Sequence, residues 1–139
     1  MLCGYRLRMK NRVVFVCGLI GAGKTTWAKK QHGFVTDLDE FPQYSTKKDQ
    51  IRQTKHLLRR GDVFHITCFP TKEELDSFKR SDCDFVYIAT DPMQCKTNIL
   101  IRNRKRDMED LPRVFKANSE FKRKFELTEL PFRKVKVMR

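Results

Sequence analysis

The stretch VVFVCGLIGAGKTTWAKK, residues 13–30, decides the fold. Val13 to Cys17 is an unbroken apolar run, as expected of a strand covered on both faces in a parallel sheet. Glycines at 18, 21 and 23 interrupt it, and Gly23 to Lys30 reads as a helix. Residues Gly18 to Thr25 satisfy G-x-x-x-x-G-K-[ST] at every position. Such a loop wraps a phosphate with its backbone N–H groups, partly in conformations that glycine adopts most cheaply. The helix that follows adds the positive end of its dipole. The expected nucleotide-binding residues are therefore Gly18, Gly21, Ala22, Gly23, Lys24, Thr25 and Thr26. Lys24 would reach the β- and γ-phosphates of ATP, and Thr25 would hold Mg²⁺.

Working outward, "GFVTDLDEF" (33–41) offers a short strand from Phe34 to Thr36 that runs into acidic residues. Residues 45–60 read as a helix capped by Ser45, with Ile51, Leu57 and Leu58 as its apolar stripe and Gly61 as its stop. "DVFHITCF" (62–69) is a third strand, and Pro70-Thr71 opens a short helix with Glu73 and Glu74 in its first turn. "DFVYIAT" (84–90) is a fourth strand, followed by a helix from Asp91-Pro92 to about Arg106. Leu111 to Leu127 forms a last helix, and "RKVKVM" (133–138) a fifth strand with weaker support. Strands alternating with helices predict a doubly wound parallel α/β sheet. At 139 residues the chain reads as one domain without repeats or linkers.

No run approaches the roughly 18 apolar residues of a membrane span. "MLCGYRLRMKNR" is too short and interrupted for a signal peptide. Five cysteines, without CxxC or Cys/His metal spacing, point to a reduced, cytoplasmic setting. Lys and Arg total 30 against 17 Asp and Glu, a net charge of +13. The excess is uneven: residues 1–12 carry +4, residues 13–95 only +1, and residues 96–139 carry +8. Such an excess on a small chain favours a polyanionic partner.

Together, the loop at 18–25, the acidic stretch "VTDLDEFPQY" and the arginine-rich "TDPMQCKTNILIRNRKRDMED" resemble the small P-loop kinases related to phage polynucleotide kinases, zeta toxins and adenylate-kinase-like enzymes. The resemblance implies a three-layer fold with a five-stranded parallel sheet in the order 2-3-1-4-5, and adenine held near the last helix and strand. It implies that an aspartate after the second strand accepts or orients the attacking hydroxyl; Asp39 fits best and Asp37 is its close rival. It implies a lid at about 98–110, whose Arg102 and Arg106 would neutralise the transferring phosphoryl, Arg102 also touching the nucleotide. Four residues apart, those two arginines would share one face of a helix, with Arg104 at the adjoining edge. Two features depart from the family pattern. Pro42 stands where D-x-x-R would put its arginine, and "HITCFP" lacks the metal-assisting carboxylate that often ends the third strand. His65 reads as a core histidine and Trp27 as helix–sheet packing.

For the acceptor, helix 45–60 carries Lys47, Lys48, Arg52, Lys55, Arg59 and Arg60 against Asp49 alone, and Tyr44 beside it offers a stacking surface. Tyr44, Lys48, Arg52, Lys55 and Arg104 are the expected acceptor-binding residues. The function expected is phosphorylation of a nucleic-acid hydroxyl, DNA ahead of RNA, at a 5′ end or on a hydroxymethylated base. The alternatives are a (deoxy)nucleoside monophosphate kinase and a nucleotide-switched nucleic-acid-binding protein.

Overall fold

The computed structural model describes residues 10–137. Cys3, much of the basic segment at 1–12, and Met138 of the expected last strand lie outside the described residues. Five strands are present: β1 (Arg12–Cys17), β2 (Phe34–Thr36), β3 (Val63–Ile66), β4 (Asp82–Ile88) and β5 (Phe132–Val135). They form one sheet in the order β2-β3-β1-β4-β5, and every pairing is parallel. The helices are α1 (Lys24–Lys29), α2 (Lys47–Leu57), α3 (Lys72–Ser77), α4 (Pro92–Arg102), α5 (Lys105–Met108) and α6 (Leu111–Leu127), with a 3-10 turn at Leu38–Glu40.

The apolar run of β1 has the predicted cause: it is buried on both faces. Val14 and Val16 join a core with Ala28 of α1, Ile88 of β4 and Cys95 of α4. Val13, Phe15 and Cys17 point the other way, to Ile51 of α2 and to Phe78 just beyond α3. Helix α6 serves both layers, with Phe121 against the first core and Phe125 against the second. Trp27 packs edge-on against Phe64, as expected of a residue joining α1 to the sheet.

Two expectations need correcting. Thr46, not Ser45, caps α2: its hydroxyl accepts from the Asp49 N–H, and the Asp49 carboxylate accepts from the Thr46 N–H in return. A Thr with an acidic residue three positions on completes a reciprocal box that Ser45 cannot. The helix expected from 91 to 106 is broken. Asn103 takes a left-handed conformation (φ 51°) that ends α4, and the chain restarts as α5. Arg102 and Arg106 therefore do not share one face of one helix. Asparagine tolerates that conformation better than most residues and so terminates the helix in a glycine's place.

Candidate active site

The loop between β1 and α1 lies at the carboxyl ends of the strands, where β1 is flanked by β3 and β4. Its conformation explains its glycines. Gly21 has φ 86°, and a Cβ there would stand 2.7 Å from the Cys95 carbonyl oxygen. Gly23 has φ 93° with open space where a Cβ would lie, leaving the backbone bare toward the cleft. Side chains from distant elements take up the loop's outward groups. Asn118 of α6 accepts from the Ile20 N–H at 2.7 Å and donates to the Ile20 carbonyl at 3.0 Å. Asn98 of α4 donates to the Gly21 carbonyl, and Thr90 to the Ala22 carbonyl. These three residues escaped sequence reading, because a lone Asn or Thr on a helix or at a strand end carries no spacing signal.

The loop opens into a cleft of about 580 Å³. Most of the expected site residues line it: Gly21, Ala22, Gly23, Lys24, Thr25, Thr26, Asp37, Asp39, Arg102, Arg104 and Arg106. Lys24 folds back over its own loop, donating to the carbonyls of Leu19 (2.8 Å) and Gly18 (3.1 Å). Thr25 Oγ1 donates to Asp37 Oδ2 at 2.5 Å, and Asp37 also accepts from the Asp39 N–H, which caps the 3-10 turn. Asp37 is buried, at 8% exposure.

Asp39 has different company. Arg106 lies 2.6 Å from one carboxylate oxygen and Arg104 3.1 Å from the other. Burial alone would raise the Asp39 carboxyl, but the hydrogen bonds and charges of Arg106 and Arg104 outweigh it and hold it below the usual range. The break at Asn103 makes this convergence possible, since it turns Arg104 and Arg106 toward β2 while Arg102 stays on α4. Arg102 is fixed instead by Asp107 at 2.9 Å. Its Nε is buried with no hydrogen-bond partner among the described residues.

The remaining expected residues stand elsewhere. Lys48, Arg52 and Lys55 are exposed on α2 and do not line the cleft. Arg52 pairs with Asp49, and Lys55 lies over the Phe78 ring. Tyr44 is 90% exposed, at φ 72° in the turn closed by the Ser45 N–H to the Pro42 carbonyl. Its backbone is strained for a side chain of that size, and it too lies outside the cleft lining. His65 is wholly buried, between Thr54 (2.8 Å) and Glu74 (2.6 Å). Among the described residues no cluster of three His, Cys, Asp or Glu could hold a metal, and no helix is long and apolar enough to cross a membrane. The donors that fit a hard cation are Thr25 and Asp37, at the mouth of the phosphate loop.

No protein-family model matches the chain, and no curated protein matches it in sequence. Solved structures do match in shape. A deoxyadenosine kinase from M. mycoides with bound dATP superposes with a TM-score of 0.57 at 14% identity, over 91% of this chain and 90% of that one. A gluconokinase from Sinorhizobium meliloti 1021 gives 0.57 at 14% identity, over 94% and 84%. A sugar kinase from Janibacter sp. HTCC2649 gives 0.55 at 14% identity, over 92% and 84%. With the strand order and the loop geometry, these likenesses establish that the chain has the three-layer α/β fold of the P-loop kinases.

Proposed function

We propose that this protein is a Mg-ATP-dependent kinase that transfers the γ-phosphate to a hydroxyl of a nucleic-acid acceptor, at a 5′ end or on a hydroxymethylated base in DNA. The observation that carries the reading is the meeting of three groups in one cleft: the phosphate loop with Lys24, the Thr25–Asp37 pair, and Asp39 held by Arg104 and Arg106. Lys24 and the loop amides hold the β- and γ-phosphates, and Lys24 exchanges its backbone carbonyls for them. Thr25 and Asp37 would hold a magnesium ion, which when bound would neutralise charge on the transferring group. Asp39 receives the acceptor hydroxyl's hydrogen bond and orients its oxygen for in-line attack. The bond to the acceptor oxygen forms as the bond to the β-phosphate oxygen breaks, and the hydroxyl proton leaves through Asp39 to water. Arg102, Arg104 and Arg106 then face the charge of the transition state.

The nucleic-acid acceptor is supported by the +13 net charge and by the exposed Lys48, Arg52, Lys55 and Tyr44. A (deoxy)nucleoside monophosphate acceptor is the second reading. The likeness to a deoxyadenosine kinase with bound dATP supports a small acceptor of the nucleoside and nucleotide class over a polymer. Transfer of labelled γ-phosphate to a panel separates the two. The panel holds 5′-hydroxyl DNA and RNA, hydroxymethylpyrimidine DNA and each nucleoside monophosphate. Label in a polymer is the expected result, whereas label confined to monophosphates establishes the second reading. Lys24→Ala should abolish transfer with the fold intact by circular dichroism, and full activity in that variant refutes the kinase assignment.

A further inference from the structure

Where β3 ends, Thr67 and Cys68 form the cleft wall, and neither is a carboxylate. The structure fills that wall with a cation. Lys47, the first residue of α2, bends inward; of the basic residues on that helix, it alone lines the cleft. Its Nζ lies 3.1 Å from Glu74 Oε2, 3.1 Å from Gln50 Oε1 and 3.4 Å from Thr67 Oγ1. Glu74 and Gln50 are wholly buried. Each is fixed in turn. Glu74 accepts from the Thr71 N–H at 2.9 Å, from the Thr67 hydroxyl at 3.2 Å and faces His65 at 2.6 Å. Gln50 donates to the carbonyls of Thr36 and Ile66, both at 2.9 Å.

A lysine ordinarily keeps its rotamer freedom, and ordering it has an entropic cost. Here a buried carboxylate and a buried amide hold one in place on the cleft lining, its side chain 26% exposed. Lys47 lines the same cleft as Asp37 and Asp39, so a cation fixed there bears on what the acceptor side can accept. We propose that Lys47 is the anion-recognition residue of the acceptor side, binding a phosphate of the acceptor close to the reacting hydroxyl. Acceptors would then be phosphate esters, nucleotides or strands, and not neutral nucleosides or sugars. Glu74 and Gln50 are its positioning residues. The word "acceptor" rests on the kinase reading; the anion site itself does not.

The test is therefore a binding measurement that needs no turnover. The full chain is saturated with MgADP and titrated by calorimetry with the dinucleotide d(TpT) and, separately, with thymidine. Wild type should bind d(TpT) at least about tenfold more tightly than thymidine. Lys47→Met should weaken d(TpT) about 10- to 100-fold while leaving thymidine and MgADP affinities unchanged, and Lys47→Arg should restore most of the loss. Unchanged d(TpT) binding in Lys47→Met overturns the proposal, as does equal binding of d(TpT) and thymidine by wild type. An equal loss of MgADP affinity also overturns it, by moving Lys47 to the nucleotide side. If the anion discrimination holds while no member of the acceptor panel is labelled, the kinase reading fails and the site stands.

Discussion

Asp37 and Asp39 leave β2 on either side of Leu38, and their partners divide the work between them. Asp37 is tied to the Thr25 hydroxyl, so any cation that Thr25 holds lies within its reach. Asp39 is tied to two guanidinium groups and stays ionised. A carboxylate so held is a weak base, which suits an orienting role in a transition state where the proton leaves late. Asp39→Asn should lower turnover about 100-fold or more with ATP affinity unchanged. Asp37→Asn should instead raise the magnesium concentration needed for half-maximal rate. The two are checked by steady-state kinetics over a magnesium series. If Asp37→Asn gives the larger turnover defect at saturating magnesium, the assignments are reversed. In the pH–rate profile, no acidic limb from Asp39 is expected above its ordinary value of 3.8, because its carboxyl is held below that value.

The α4–α5 junction depends on one residue's backbone. Asn103 in the left-handed region lets α5 restart at a new angle and brings Arg104 and Arg106 to Asp39. Asn103→Gly should keep the break and the rate. Asn103→Val, whose branched side chain disfavours that conformation by about 1–2 kcal/mol, should lower stability in urea and slow turnover together. A valine variant with wild-type rate would show that the break does not position the arginines. This is also where the sequence was least legible. The β1–loop–α1 unit announces itself because an apolar run, a glycine-rich loop and a helix follow one another along the chain, so its place in the fold could be read directly. The strand order was legible only through resemblance. The helix break was not, since Asn103 carries none of the usual punctuation of Gly or Pro within "ILIRNRKRD". Nor were Thr90, Asn98 and Asn118, whose role lies in contacts 68 to 98 residues away along the chain.

Across the whole molecule, charge is arranged in two ways. Much of the excess lies in residues 96–139, which carry +8 in the sequence. A smaller set lies inward, where buried His65 and Glu74 and the half-buried Lys47 link β3, α3 and α2. Burial would raise the Glu74 carboxyl, but the His65 hydrogen bond and the Lys47 charge bring it down to about 2, from an ordinary 4.5. Burial lowers His65 from 6.5, though Glu74 pulls the other way. Both groups therefore bind protons more weakly folded than unfolded, and both contribute stability that is lost as pH falls. The loss begins near 6.5, when the unfolded histidine starts to charge, and steepens below 4.5, when the unfolded glutamate protonates and the folded one does not. Thermal denaturation followed from pH 7.5 downward should show the midpoint falling through both windows. Glu74→Gln should cost about 3 kcal/mol at neutral pH, because it leaves Lys47 without its counter-charge, and should flatten the curve below 4.5. If the variant's pH dependence there matches the wild type, the acid sensitivity comes from the surface pairs and not from this buried network.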